Sequence, residues 1–218
     1  MRHGYTNRTD RQGNFVRKAY AGPDAELRQT TEHHALDALR GQFPVPLVTA
    51  TCAGWLETRF VDGVHGQDLI DAGHARSVLS ECGRVLRQLH ALDPRQLDLA
   101  VTAGDVVQHG DFGPNNLLFD GDSGHVAAVL DWEFSGVGEA IMDIAWCEWI
   151  VRMHHPAAVA ELSAFFAAYG AKPPWRLRQN AMARRCRWLE DFTNRWDPNG
   201  SAVALWQQRT RTVESWHE

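Results

Sequence analysis

The sequence predicts an α+β protein of two lobes, a small β-rich lobe followed by a larger helical one. Two observations carry this prediction. Short segments with strand-like alternation dominate the chain before Asp62-Gly63, and long segments with helical periodicity dominate it afterwards. The length of 218 residues is enough for one large domain or two small lobes. We therefore expect one lobe at residues 1–62 and the other at residues 63–218.

The composition is that of a soluble protein without a nucleic-acid or membrane partner. Lys and Arg total 22 against 27 Asp and Glu, and this formal charge of -5 argues against a basic nucleic-acid binder. No segment approaches the roughly 20 apolar residues that span a bilayer, and the first residues lack the apolar core of a secretory signal. The four cysteines have no metal-ligand spacing, which predicts reduced thiols and a cytoplasmic location. The sequence does not indicate an oligomeric state.

The first lobe is expected to hold strands around one helix. Residues 15–20 (FVRKAY) mix apolar and basic side chains as a strand does. Residues 24–40 predict a helix, with Asp24 as its N-cap and Gly41 as its stop. Two further strands, bounded by Gly and Pro, are predicted at residues 44–50 and 55–61.

The second lobe is expected to be mainly helical. Residues 75–92 predict an amphipathic helix whose apolar stripe consists of Val78, Leu79, Cys82, Leu86 and Leu89. Four more helices are predicted at residues 141–154, 157–169, 175–196 and 201–216. Most of the nine Trp are expected to pack in the core, with one or two available to line a cleft.

A short β segment at residues 116–130 precedes those four helices and carries the chemistry. Two apolar runs flank the turn-like sequence DGDSG, which predicts a hairpin. Asn116 enters the first strand and Asp131 leaves the second, so both lie at the same end, roughly 5 Å apart. An amide oxygen and a carboxylate at that spacing can share a Mg²⁺ ion. Asp111, in a Gly-Pro-containing loop over the same place, supplies a carboxylate that can accept a proton.

The pattern H-G-D-x-x-x-x-N, followed by a strand, a turn and L-D-W-E, resembles the aminoglycoside phosphotransferase and choline kinase-like family. The later G-V-G-E-A-I-M-D also looks like this family. The resemblance implies a protein-kinase-like fold and a small-molecule kinase that moves the γ-phosphoryl group of ATP or GTP to a hydroxyl group. It also implies particular roles: Asp111 as catalytic base, Asn116 and Asp131 as Mg²⁺ ligands, and His109 and Asp143 as supports of the catalytic loop.

The first lobe offers a candidate ion pair. Glu32 lies four and seven residues before Leu36 and Leu39, so it shares their inward face and needs a partner, for which Lys18 is available. The resemblance implies that Lys18 binds the α- and β-phosphates and that Glu32 holds it in place. A surface lysine and a solvated glutamate remain the alternative.

Two further nucleotide-binding segments follow from the resemblance. The segment GYTNRT at residues 4–9 is similar to the nucleotide-covering loop, with Gly4, Thr6 and Asn7 near the phosphates. Only three residues precede this segment and leave almost no first strand, so we expect either that the first lobe is shortened there or that the true start of the protein lies further upstream. Arg59 and Val61 flank Phe60 in the implied hinge, where backbone groups would bond the base.

The sequence specifies the acceptor less well than it specifies the phosphoryl donor and the catalytic loop. An aminoglycoside-like antibiotic is the first expectation, and choline-like and homoserine-like metabolites are alternatives. The mild acidic excess fits a cationic acceptor, and several acidic residues could line its pocket or simply face water: Glu133, Glu139, Glu148, Glu161, Glu190 and Asp191. The basic run RRCR at residues 184–187 argues against a uniformly acidic face.

Two other functions compete with the active kinase. One is a kinase-like nucleotide-binding module without turnover. The other is a metal-dependent phosphoesterase that uses His109, Asp111 and the pair His154-His155. The order of the two motifs favours the kinase, because a coincidence would have to produce both at the right separation.

Overall fold

The computed structural model describes residues 7–218 and confirms the predicted α+β architecture. A four-stranded antiparallel sheet with the order β1-β2-β4-β3 forms the first region, and one helix packs against it. The elements of this region are β1 (Asn7–Gln12), β2 (Phe15–Tyr20), α1 (Ala25–Leu39), β3 (Val48–Cys52) and β4 (Trp55–Arg59). The predicted strand at residues 15–20 coincides with β2, which places Lys18 opposite Leu56 of β4.

α1 begins where it was predicted, with Asp24 at the N-cap position, but Asp24 does not cap the helix with its side chain. Asp24 was predicted to cap the helix, but its backbone is left-handed with φ of 55° and its side chain makes no capping bond. The Asp24 carboxylate instead pairs with Arg195, 2.8 Å away at the far end of the chain. Long-range ion pairing therefore replaces the local capping bond that the sequence suggests.

The second region is larger and mostly helical. Its strands are β5 (Val64–His65), β6 (Val106–Gln108), β7 (Leu117–Phe119), β8 (Val126–Val129) and β9 (Gly136–Gly138). Its α-helices are α2 (Gly66–Leu69), α3 (Ala75–His90), α4 (Ile141–His154), α5 (Leu162–Tyr169), α6 (Trp175–Trp196) and α7 (Ser201–Ser215). The helix predicted at residues 157–169 is divided, because Pro156–Glu161 forms a 3₁₀ segment and only the remainder is α-helical.

The predicted hairpin is formed by β7 and β8. Leu117 pairs with Val129, and the backbone N–H of Leu130 donates to the Asn116 carbonyl oxygen over 2.8 Å. Asn116 and Asp131 therefore flank the same end of the hairpin, as predicted.

Two apolar clusters hold the second region together. One includes the predicted stripe of α3 and extends to α1 and the hairpin. The other joins α4, α6 and α7 around Trp146 and Trp149, whose stacked rings have centroids 4.2 Å apart. Within residues 7–218, none of the helices is long and apolar enough to cross a membrane.

Candidate active site

The loop that carries Asp111 depends on the glycine before it. Gly110 has φ of +81°, and a Cβ atom there would lie 2.1 Å from the carbonyl oxygen of Phe134. Any other residue would be strained and would collide with that backbone. The Gly in the H-G-D motif is thus required by geometry, and it lets the loop lie directly on the chain segment that follows Asp131.

Asp143, at the start of α4, braces this loop through the backbone. Its carboxylate accepts hydrogen bonds from the N–H groups of His109 and Gly110, at 2.8 and 2.9 Å, and lies 3.3 Å from Nε2 of His90. Burial alone would raise the pKa of Asp143, but these bonds and the nearby histidines outweigh burial and lower it. The buried side chain therefore stays ionised and fixes two consecutive backbone positions.

His109 links the loop to the hairpin. Its Nε2 lies 2.9 Å from the Leu130 carbonyl oxygen, and its Nδ1 accepts from the backbone N–H of Asp111 over 3.1 Å. Its ring also packs edge-on against Trp132, with centroids 4.5 Å apart. Burial lowers the pKa of His109. The contacts of both ring nitrogens are thus within the fold.

The Asp111 carboxylate is half-buried and held on both oxygens. Trp146 Nε1 donates to Oδ1 over 2.6 Å, and Asn116 Nδ2 donates to Oδ2 over 2.9 Å. Burial and the negative charge of Asp131 raise the Asp111 pKa to about 6, while Arg185, Trp146 and Asn116 oppose the rise. A carboxylate with this pKa is ionised at neutral pH yet basic enough to accept a proton.

Asp131 lies at the centre of an ionic cluster with the first region. Lys18 Nζ bonds to the Asp131 carboxylate and to Oε2 of Glu32, the latter at 2.6 Å. Burial opposes the charged form of Lys18, but the surrounding carboxylates outweigh it and keep the pKa well above its usual range. Asp131 also has φ of 68°, a left-handed conformation that is uncommon for residues other than glycine and recurs at functional sites.

Glu133 is the third carboxylate of this cluster. Its Oε2 lies 2.8 Å from Arg28 Nη1 and 3.6 Å from Lys18 Nζ. Asn7, the one described residue among the three predicted phosphate contacts of the loop, belongs to β1 and donates to the same oxygen over 2.5 Å. Gly4 and Thr6 lie outside the described residues.

The carboxylate cluster is chemically suited to a hard cation. Glu32, Asp131 and Glu133 each present an oxygen within 4.8 Å of the others. Among residues 7–218, His, Cys and carboxylate side chains meet in this way nowhere else. Asn116 is held next to Asp111 at the hairpin end, on the same side as Asp131. An all-oxygen donor set of this kind fits Mg²⁺.

The predicted hinge follows β4. The backbone N–H groups of Arg59 and Phe60 donate to the carbonyl oxygens of Leu47 and Asn14, both over 2.8 Å. Two of the N–H groups that were expected to meet a nucleotide base are therefore bonded to the protein. Val61 follows directly in the chain.

The acidic residues do not form one open negative pocket. Glu133 and Glu148 are buried, and each is paired with an arginine, Arg28 and Arg178 respectively. The other four acidic residues are half-buried or exposed. Some of the acidic residues therefore face solvent, which was one of the two predicted alternatives. Glu133 and Glu148 instead act as internal counter-ions of arginines.

Three site residues, Arg28, Trp146 and Arg185, were not identified as such from the sequence, and a fourth, Glu133, was named only as a possible lining residue of the acceptor pocket. Two of them left a local signal, because Glu133 belongs to the LDWE motif and Arg28 precedes Glu32 by one helical turn. Trp146 follows Asp143 by three residues on α4 and so shares its face. Arg185 lies in a basic run that gives no indication of its neighbours.

Known proteins share the sequence pattern and the fold of this chain. A model of the phosphotransferase enzyme family matches residues 2–102 and 95–189 of the sequence. None of the curated proteins compared with the sequence matches it.

Solved structures with the same fold include antibiotic and metabolite kinases. The GDP complex of aminoglycoside 2'-phosphotransferase-IIIa superposes with a TM-score of 0.75 at 11% identity, covering 99% of this chain and 91% of that one. A GDP and kanamycin complex of the same kind of enzyme gives 0.75 at 11% identity, covering 99% and 92%. A choline/ethanolamine kinase family protein from Mesorhizobium loti gives 0.66 at 15% identity, covering 98% and 86%. At such identities the likeness establishes the kinase-like fold.

Proposed function

The chain belongs to the phosphotransferase enzyme family, and from this premise we propose that it transfers the γ-phosphoryl group of ATP or GTP to a hydroxyl group of a small molecule, with Mg²⁺. The observation that carries the proposal is the Asp111 carboxylate, held by Trp146 and Asn116 with a pKa of about 6, next to the end of the hairpin that carries Asp131.

The donor side of the proposed reaction is the Lys18 cluster. Lys18 would bind the α- and β-phosphates while Glu32, 2.6 Å away, holds its ammonium group in position. Asn116 and Asp131 would hold Mg²⁺, which neutralises phosphate charge when bound. Val61 and the carbonyl groups of the hinge, starting at Arg59, would meet the base. Gly4, Thr6 and Asn7 remain predicted contacts of the phosphates.

Positioning and electrostatics would supply most of the catalysis, as in other phosphoryl transfers. Asp111 would orient the acceptor hydroxyl and accept its proton. The hydrogen bonds from Trp146 and Asn116 fix the carboxylate plane before the acceptor arrives. Asp143 and His109 would act through the loop, because they bind its backbone rather than the reactants.

The acceptor classes that the family resemblance implies are an aminoglycoside-like antibiotic and a choline- or homoserine-type metabolite. Structures with this fold include a complex of one relative with kanamycin and one with gentamicin. Kanamycin and gentamicin are ligands of those relatives.

The phosphoesterase alternative has no support from the geometry. It requires His109 and the later histidine pair to share one metal with Asp111, but His109 uses both ring nitrogens within the loop and hairpin. His155 instead lies 3.0 Å from Asp71.

The test compares two aspartate variants in a phosphotransfer assay with a panel of hydroxylated acceptors. Asp111→Asn is expected to lower kcat by about 10²- to 10⁴-fold, the usual contribution of a general base. Asp122→Asn, in the exposed turn of the hairpin, is the matched control and should leave kcat unchanged. Full activity of Asp111→Asn would exclude Asp111 as the base. Nucleotide binding without Mg²⁺, and without transfer to any acceptor, would identify a binding module instead.

A further inference from the structure

We propose that the acceptor of this kinase carries an anionic group, a carboxylate or a phosphate, which the Arg185 guanidinium binds beside Asp111. The inference rests on the proposed function, since it names the acceptor class of the same site. It selects a small hydroxylated anion over a polycationic antibiotic.

Aromatic rings hold the Arg185 guanidinium in place. Its central carbon lies 4.2 Å from the Trp188 ring centroid, 5.1 Å from that of Phe134 and 5.8 Å from that of Trp146. These contacts come from α6, from α4 and from the segment after Asp131. A guanidinium packed among three rings presents its N–H groups in a fixed direction, which suits planar recognition of an oxyanion.

Arg185 lacks a partner inside the described part of the chain. Its Nε is buried and donates no hydrogen bond, and no ion pair within residues 7–218 includes it. Four other arginines of α6, Arg178, Arg184, Arg187 and Arg195, each pair with a carboxylate, and Arg176 of the same helix is exposed to solvent. A half-buried guanidinium whose donors are unmatched gains most from a ligand that brings an oxyanion.

The position of Arg185 relative to the proposed base sets what it can bind. Trp146, whose ring Arg185 contacts, donates its indole N–H to Asp111 over 2.6 Å. The positive charge of Arg185 also opposes the rise of the Asp111 pKa, so the two groups lie within electrostatic reach. An acceptor whose hydroxyl meets Asp111 therefore places its neighbouring atoms near a cation. Ammonium groups at that place would be repelled and anionic groups attracted.

A cavity of about 270 Å³ lies between α1 and α6 and reaches Arg185. Its other charges are internally balanced, because Glu133 pairs with Arg28 and Asp24 pairs with Arg195, each at 2.8 Å. The charge left for a ligand is that of Arg185.

A larger cavity elsewhere does not compete with this assignment. It measures about 620 Å³ and lies between the segment before α3 and α5. No residue of the Asp111 loop or of the Lys18 cluster lines it.

The experiment compares acceptors that differ only in their anionic group. With Mg·ATP and Mg·GTP as donors, kcat/KM is measured for glycerol, glycerate and glycerol 3-phosphate, for homoserine and 3-aminopropan-1-ol, and for kanamycin. The anionic members are expected to exceed their uncharged or cationic counterparts by about 10- to 100-fold, the effect of a charge-assisted hydrogen bond. Glycerate against glycerol 3-phosphate distinguishes a carboxylate from a phosphate.

Arg185→Met must erase this preference while the KM for nucleotide stays unchanged, and Arg185→Lys should restore part of it. Arg187→Met is the control, because Arg187 lies on the same helix but is exposed and paired with Glu214 at 2.6 Å. A preference for kanamycin, or an anion preference that survives Arg185→Met, would overturn the proposal. A raised KM for nucleotide in Arg185→Met, with the acceptor preference intact, would also overturn it.

A binding measurement separates this inference from the proposed function. Melting temperatures are recorded at saturating Mg·ADP with glycerate, glycerol 3-phosphate or glycerol added. Anion-dependent stabilisation of the wild type that is absent from Arg185→Met supports the proposal even if no acceptor is phosphorylated, in which case the proposed kinase activity alone has failed. If neither anion stabilises the wild type and none is phosphorylated, the Arg185 site is refuted.

Discussion

The site contains two cations, Lys18 and Arg185, and they differ in whether the fold supplies carboxylates to pair with them. Lys18, on the sheet side, lies among the carboxylates of Glu32, Asp131 and Glu133. Arg185, on the helical side, packs among aromatic rings and forms no ion pair within residues 7–218. The first charge is neutralised before any ligand arrives, and the second is not.

A charge with partners inside the protein contributes mainly to stability, whereas a charge without such partners is available to a ligand. Removing one member of a buried ion pair leaves the others without compensation, so its main cost falls on the free energy of unfolding. Removing a charge that has no internal partner has little effect on folding, so its cost falls on binding. Substitutions at the site should therefore divide into those that mainly lower the free energy of unfolding and those that mainly weaken binding.

Lys18→Met should be the most damaging substitution. It leaves three carboxylates within 4.8 Å of one another without their shared cation, and we expect a loss of about 3–5 kcal/mol in the free energy of unfolding. Phosphotransfer should fall by about 10²- to 10³-fold, as for loss of one electrostatic contact to the reacting group. Urea denaturation and steady-state kinetics measure the two effects.

Added Mg²⁺ sharpens this prediction. Because the variant cluster has an uncompensated negative charge, Mg²⁺ should raise the melting temperature of Lys18→Met by more than that of the wild type. Arg17→Met serves as control, since Arg17 is on the same strand but its pair with Glu57 is partly exposed. Equal effects of Mg²⁺ on both variants would contradict the view that Lys18 neutralises this cluster.

Asp143→Asn tests a carboxylate whose partners are backbone groups. The amide keeps one acceptor oxygen for the N–H groups of His109 and Gly110 where the carboxylate offers two. We expect a loss of about 2–3 kcal/mol in the free energy of unfolding and a fall in kcat, because the loop that carries Asp111 loses its brace. Measured KM for nucleotide should change little.

The pH dependence of this variant has a defined sign. The pKa of Asp143 is lowered in the folded protein, so its stabilisation is complete above the unfolded pKa of about 3.9 and is lost as pH falls through the lower folded value. The difference between wild type and Asp143→Asn in urea denaturation should stay constant at neutral pH and narrow only below pH ~4. A difference that shrinks between pH 7 and 5 would place the stabilising charge elsewhere.

The contacts around Lys18 were predicted from the sequence far better than the contacts around Arg185. The spacing of Glu32 to Leu36 and Leu39 shows that a carboxylate faces inward and must find a cation, and a strand with one lysine limits the choice. Asp111 and Asn116 belong to one motif with a fixed separation, and the hairpin that follows returns the chain so that Asp131 lies at the same end as Asn116.

Arg185 and Trp146 reach the site through the packing of α4 against α6, which no local pattern specifies. Asp24 failed as a predicted cap for the same reason, because its partner Arg195 is distant in sequence. Contacts within a motif are therefore readable from spacing, whereas contacts between helices depend on how the whole chain packs.

Trp146→Phe should lower the free energy of unfolding by an amount between those expected for Lys18→Met and Arg185→Met. Phenylalanine can keep the stacking on Trp149 but removes the hydrogen bond to Asp111 Oδ1. The expected loss is about 1–2 kcal/mol in the free energy of unfolding, together with a lower kcat because the carboxylate is less well oriented. The hydrogen bond lowers the Asp111 pKa, so its removal should raise that pKa. Unchanged kcat would show that the indole contributes packing alone.

Arg185→Met should change the free energy of unfolding least, by less than about 1 kcal/mol. No hydrogen bond or ion pair within residues 7–218 is broken, and a thioether can replace the guanidinium against Trp188 and Phe134 with contacts of comparable energy. The substitution also removes a half-buried charge whose solvation the fold does not fully replace.

Urea denaturation of Arg185→Met and of Lys18→Met measures this difference in stability directly, with Arg187→Met as an exposed control from α6. A loss as large as that of Lys18→Met would mean that Arg185 is a structural charge as well, and the division between the two sides of the site would not hold. A small loss in stability joined to a lost preference for anionic acceptors would instead show that the fold neutralises Lys18 with its own carboxylates and leaves the charge of Arg185 for the acceptor.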